Sequence, residues 1–414
     1  MKIFGVPIEF GLFGLMLLAV AVFHHHTLRA SLIGLAAIVL YRLTFTGFPT
    51  GNGLIGLAAH LTHEWVVLAN LLLLLMGFAL LADHFERSHL PAHLPKFLPH
   101  DWKGGFALLA IIWVLSSFLD NIAGALIGGA MAHQLFRGKV HIAFVGAIVA
   151  AANAGGAWSV VGDTTTTMMW IAGVAPSRVF EAIIPAAVAL FLFGIPAALR
   201  QQKHSPILKH AIERPPVDWL RVLVVALILA GAIGTNAFVS LRYPVQADQF
   251  PFIGVAVWVA LAISLPWRGP DWSLLPRTFR SSIFLIALVT AASLMPVQHL
   301  PDASWQTVFG LGFISAAFDN IPLTALALRQ GGYDWGFLAY AVGFGGSMIW
   351  FGSSAGVALC STYREARSVG QWLRHAWWII PAYVVSFFFM LALWPWHPDA
   401  PAERHANPSV PEIS

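Results

Sequence analysis

The chain has 414 residues, 58% of them hydrophobic and 10% charged, with a formal net charge of +4. Soluble domains carry about 25% charged residues, so this is a polytopic membrane protein rather than a soluble domain. The single cysteine, Cys360, excludes an intrachain disulfide and a thiolate metal cluster. No basic run interleaved with aromatics is present to track nucleic acid, and the basic excess is assigned to loops gripping the inner membrane face.

In chain order, Met1-Lys2 is followed by an apolar stretch with no small-residue cleavage site before His24-His25-His26, so residues 4–23 read as a first span rather than a signal peptide. Further segments long enough to cross, about 17–25 residues each, fall near 28–45, 64–82, 180–199, 218–240, 251–267, 280–298 and 374–396. Two more, at 139–174 and 334–359, are interrupted by the glycine pairs Gly155-Gly156 and Gly345-Gly346. That makes ten crossings. Residues 104–134 and 303–329 are also apolar, but carry Asp120-Asn121-Ile122 and Asp319-Asn320-Ile321 at their middles. A straight span would press each carboxylate against lipid, whereas a re-entrant hairpin buries the tip in protein. The expected fold is therefore all-α: two inverted repeats, each of five transmembrane helices plus one re-entrant hairpin, with broken helices at the midplane. The first repeat is residues 1–205 and the second 206–396, joined by the basic stretch Gln201 to Val217, and the polar, proline-rich 397–414 is an expected disordered tail.

The distribution of charge supports this layout. With both hairpins returning to the side they came from, seventeen of the 23 lysines and arginines fall on one face, which is then cytoplasmic. Both termini lie outside a bacterial inner membrane on this reading. An odd number of spans per repeat turns the second copy upside down, the architecture of secondary transporters.

Chemistry is expected where the repeats put polar groups at depth, because an ionisable side chain in hydrocarbon costs roughly 2.5–3.5 kcal/mol even on the lenient insertion scale. The ion path is assigned to Asp120, Asn121, Asn153, Gly155, Gly156, Ser159, Asp163, Thr164, Asp319, Asn320, Gly345, Gly346, Ser353 and Ser354. Asp163, ahead of four threonines, reads as the N-cap of a second half-helix. The glycine pairs let the backbone unwind so that carbonyls can face a cation. Asp120, Asp163 and Asp319 are hard oxygen ligands that suit sodium, lithium or a proton, and no lysine or arginine lies near the expected centre to hold an organic anion. Desolvation favours the protonated form of a carboxylate, so proton and sodium compete for it. Exchange of sodium or lithium for protons follows, with no cofactor and with small cations and the bilayer as partners. A sodium-coupled citrate or dicarboxylate carrier is the alternative. A membrane enzyme lacks a nucleophile-plus-base spacing.

At these residues the chain resembles the NhaD-type sodium/proton antiporters of the ion transporter superfamily, whose relatives include citrate/dicarboxylate and arsenite carriers. The resemblance rests on Asn153 to Ser159, Gly162 to Ile171, Phe318 to Leu323, Gly345 to Met348 and Gly352 to Ala358. It implies that the two Asp-Asn pairs, Asp163-Thr164 and Ser353-Ser354 surround the ion, and that a hairpin-bearing domain moves like an elevator against a homodimeric scaffold. Two departures stand out: Ile122-Ala123-Gly124-Ala125 replaces residues that tend to be hydroxyls in the family, and Ser159-Val160-Val161-Gly162-Asp163 replaces Ser-Pro-Ile-Gly-Asp. Fewer hydroxyls weaken sodium coordination. Elsewhere, His84, His89, His93 and His100 are expected in a solvated loop, and His60, His63 and Glu64 in an external entrance or metal patch.

Overall fold

The computed structural model describes the chain apart from residues 1, 4–5, 24–25, 49–50, 95–97, 208–214, 244–245, 247–248 and 400–414. The tail from 400, His24-His25 and residues 208–214 of the basic connection thus lie outside the described residues.

Proline and glycine set the element boundaries. A two-residue pair, β1 (Lys2–Ile3) with β2 (Val6–Pro7), precedes α1 (Ile8–Val22) and is the one departure from an all-helical fold among the described strands and helices. The first half continues with α2 (Thr27–Tyr41), α3 (Gly53–Glu86), the short α4 (Leu90–His93), α5 (Trp102–Ser116), α6 (Asn121–Leu135), α7 (Ile142–Gly156), α8 (Thr164–Ile171), α9 (Pro176–Phe180) and α10 (Ile183–His204). The second half has α11 (Trp219–Arg242), α12 (Phe252–Ser264), α13 (Leu275–Ser293), α14 (Trp305–Ala317), α15 (Asn320–Gln330), α16 (Trp335–Gly345), α17 (Ser354–Thr362), α18 (Val369–Ala376) and α19 (Ile379–Leu393). Among the described residues five helical stretches are long and apolar enough to cross a membrane, and α18 with α19, bent by 58°, makes a sixth when taken as one span. The protein is a multi-pass membrane protein. The spans expected at 4–23 and 251–267 contain shorter helices, because Pro7 delays the start of α1 and α12 stops at Ser264, two residues before Pro266.

Each stretch expected as a hairpin is two helices meeting at its Asp-Asn, α5 with α6 and α14 with α15. Each interrupted segment is two helices flanking a non-helical break, α7 with α8 and α16 with α17. Among described residues α7 and α16 are enclosed almost completely, with every residue of α16 buried. Their all-round apolar sequences demand that position, and their alanines and glycines let neighbouring backbones come close.

The helices pack as two lobes. One comprises α1, α2, α3, α11, α12 and α13, while the other wraps α5, α6, α10, α14, α15, α17, α18 and α19 around α7, α8 and α16. The lobes meet chiefly where α13 packs on α15 and α3 on α8. Within the first lobe α3 extends well beyond the expected span 64–82, which alters two expectations. His84 is a buried helix residue in hydrogen-bond contact with Arg221 at 3.1 Å rather than a solvated loop residue. His60 and Glu64 turn inward, to Ser293 at 2.9 Å and Arg329 at 3.4 Å, so they are committed to helix packing and not to a metal patch.

At the start of α11, Asp218 caps the helix and accepts a hydrogen bond from Arg268 Nε at 2.7 Å. That bond holds its carboxyl below the ordinary aspartate value of 3.8. A depressed folded-state value contributes stability above the unfolded pKa, and the contribution disappears as pH falls through the folded one. Asp218→Asn should therefore lower the unfolding temperature at neutral pH, and the difference from wild type should close below pH 3.8. Thermal unfolding across pH checks this, and an undiminished difference in acid would contradict it.

Candidate functional site

Four helix N-termini converge at the breaks. Asp120 and Asp163 stand at the N-cap positions of α6 and α8 without a side-chain cap bond, whereas Asp319 caps α15 by accepting from the Ile321 amide and Ser353 caps α17 by accepting from the Gly356 amide. An N-terminus carries roughly half a positive charge, so each carboxylate is held by backbone dipoles. The glycines explain why the breaks sit close to the hairpins. A Cβ on Gly155 would collide with the Trp113 carbonyl oxygen, and one on Gly345 with the Gly312 carbonyl oxygen. Only a hydrogen fits where α7 crosses α5 and α16 crosses α14. The copies agree further: Ser116 Oγ donates to the Ala152 carbonyl at 2.6 Å, and Ser315 Oγ to the Val342 carbonyl at 2.7 Å. Both serines stand four residues before their Asp-Asn pair.

The side chains form two networks that cross between the halves. Asn320 Nδ2 donates to Asp163 Oδ2 at 3.0 Å, and Thr165 Oγ1 donates to the same oxygen at 2.9 Å. Asn121 Nδ2 donates to Asn153 Oδ1 at 3.2 Å, and Asn153 Nδ2 donates to Ser347 and Ser353 at 2.9 and 3.0 Å. Asp319 accepts from Ser354 Oγ at 3.1 Å and from the Ile321 amide at 3.3 Å. Asp163 is close enough to Asp120 and to Asp319 for their charges to interact. It is also the most enclosed carboxylate of the three, at 3% exposure against intermediate exposure for the other two.

Most of the expected residues thus meet at one place. Ser159 does not join them through its side chain. Its hydroxyl accepts from the Val161 amide at 3.4 Å inside its own turn, and its carbonyl accepts from Thr166 Oγ1 at 2.6 Å. The turn is held by threonine hydroxyls, Thr166 donating to the Ser159 carbonyl and Thr167 to the Val160 carbonyl. Thr164 is buried at the first position of α8, and Thr165 one residue later supplies the hydroxyl that reaches Asp163. Thr165 and Ser347 are the participants the sequence did not single out. Their signal was local: Thr165 lies two residues after the aspartate at the N-cap position, and Ser347 directly follows a glycine pair.

A cavity of about 530 Å³ lies between the lobes and reaches Asp319 and Ser354, with Arg277, Ser281 and Ser361 along its polar side and Phe284, Phe318 and Phe351 in its walls. A much smaller cavity, about 50 Å³, separates the lobes elsewhere, where Arg329 of α15 pairs with Glu64 of α3. Among the described residues no lysine or arginine forms an ion pair with Asp120, Asp163 or Asp319.

No family model matches the chain. Known relatives do. It is 26% identical over 391 residues to a Na(+)/H(+) antiporter NhaD of Vibrio cholerae, an alignment covering 80% of each chain. It is 27% identical over 364 residues to the Na(+)/H(+) antiporter NhaD of Vibrio parahaemolyticus, covering 74% of this chain and 86% of that one. Sodium/proton antiporter 1 of Arabidopsis thaliana is 27% identical over 321 residues, 68% of this chain, and the matched part spans about half of that plant protein, 52%.

Proposed function

We propose that this chain, a relative of the NhaD-type sodium/proton antiporters, exchanges sodium or lithium for protons across the membrane. The observation that carries the reading is Asp163: a buried carboxylate between two helix breaks, held by an amide from the opposite half and a neighbouring hydroxyl, and paired with no cation among the described residues. Such a group can be neutralised by a proton or by a small metal cation, and by one at a time. Sodium arriving at Asp163 expels a proton, and a proton returning expels sodium. Asp120 and Asp319, close by and half-buried, add negative charge that draws cations in and disfavours citrate or succinate.

The two copies of hairpin and broken helix are read as inverted repeats with re-entrant hairpins. The lobe bearing them is the moving part, and the lobe of α1, α2, α3, α11, α12 and α13 is the fixed, homodimeric scaffold. On this topology Arg277 is cytoplasmic and Arg329 external. The larger cavity then opens Asp319 toward the cytoplasm while the Arg329–Glu64 pair closes the outside. The elevator step would slide α15 past α3 and α13, breaking that pair.

Purified protein in proteoliposomes tests the assignment. An imposed sodium gradient should drive proton movement, and radiolabelled citrate should not accumulate. Citrate uptake without cation-dependent proton movement would overturn the exchange reading in favour of a coupled carboxylate carrier.

A further inference from the structure

The glycine pairs put the two broken helices in register, so that Asn153 corresponds to Gly343, Ala157 to Ser347 and Asp163 to Ser353. Side-chain chemistry at these corresponding positions is opposite. Beside Ser353 stands Asn153, fully buried, whose Nδ2 donates to both Ser353 and Ser347 while its Oδ1 accepts from Asn121. Both hydrogens of that amide nitrogen are thereby used, pointing at the Ser347 and Ser353 hydroxyls. Beside Asp163 stands Gly343, which offers no side chain at all. A Cβ at Gly343 would come within 3.7 Å of Asp163 Oδ2 and 3.1 Å of Ala157 Cβ. A side-chain amide built on it would therefore reach the carboxylate.

We propose that the chain has one cation site, at Asp163, and that the corresponding place at Ser353 is a second site closed by the Asn153 amide. Three substitutions separate the two places. The carboxylate has become a hydroxyl, the facing glycine an asparagine, and the alanine beside it a serine that anchors the amide. The closed place has no anionic ligand of its own on the broken helix, since Ser353 stands where the other copy has Asp163. Gly343 is then a specificity-determining residue through the side chain it lacks, because it keeps the face of Asp163 clear for an ion. One cation per chain crosses in each cycle. This inference rests on Asp163 being the exchanging carboxylate.

Equilibrium binding of radiolabelled sodium to the full-length, detergent-purified chain tests it, with exchange measured in proteoliposomes from the same preparation. Wild type should bind one ion per chain. Gly343→Asn should weaken binding by about tenfold or more, or about 1.4 kcal/mol, and the smaller Gly343→Ser should weaken it less, with both eluting as the folded species. Asn153→Gly combined with Ser353→Asp should raise the count to two. Two ions bound by wild type, or unchanged binding in both Gly343 variants, would overturn the single-site inference while wild-type exchange left the antiporter reading intact. Wild type with neither sodium binding nor exchange would overturn both.

Discussion

Asp163→Asn should reduce sodium-driven proton movement by at least about 100-fold, a loss of about 2.7 kcal/mol, while the protein still folds. The substitution keeps the shape and the contact with Asn320 while removing the one charge that proton and sodium share. Thr165 can still donate to the amide oxygen, so the side chain stays tied to the first turn of α8. Asp319→Asn should also weaken exchange strongly, because Asp319 lines the larger cavity between the lobes and holds Ser354 across the second break. Proton flux with an unchanged unfolding temperature is the discriminating pair of measurements. Wild-type flux in both variants would make the carboxylates structural caps.

A second large effect is expected from a single methyl group. Gly155→Ala and Gly345→Ala each force a Cβ against a carbonyl oxygen, of Trp113 and of Gly312 respectively, where backbone meets backbone and no side chain can swing aside. Overpacking of this kind costs about 1–3 kcal/mol. Here the strain falls where the broken helix meets the hairpin, so exchange should drop by more than about tenfold as geometry at the site is lost. Gly234→Ala supplies the control, since it lies in α11 with no atom within 4 Å of the added methyl. Alanine is favoured over glycine in a helix by roughly 0.8–1.0 kcal/mol, so that variant should be neutral or slightly more stable. Equal damage from Gly234→Ala would show that any added methyl in this chain is harmful and would remove the packing argument.

These expectations mark how far sequence reaches. The duplicated Asp-Asn tripeptides and the glycine pairs announced both the breaks and the carboxylates, because burying charge and unwinding a helix each require particular residues. The partners of those carboxylates were less legible. Asn320 reaching Asp163, and Asn153 reaching Ser347 and Ser353, join residues 157, 194 and 200 positions apart, and their meeting depends on how two halves pack. Ser159 carried the right chemistry and faced the wrong way, since its hydroxyl answers the nearest unpaired amide in a tight turn. Likewise His60, Glu64 and His84 read as loop or entrance residues until α3 proved long enough to carry all three inward. Apolar periodicity finds a helix more reliably than it finds its ends, because caps and tertiary contacts decide where a helix stops.

Shared occupancy of Asp163 is the claim on which the exchange reading depends, and proton release on sodium addition measures it most directly. Detergent-purified protein in a weakly buffered solution with a pH indicator should release protons when sodium chloride is added and none with an equal concentration of choline chloride, and Asp163→Asn should release none with either. Sodium binding with no proton release from the wild type would contradict the account.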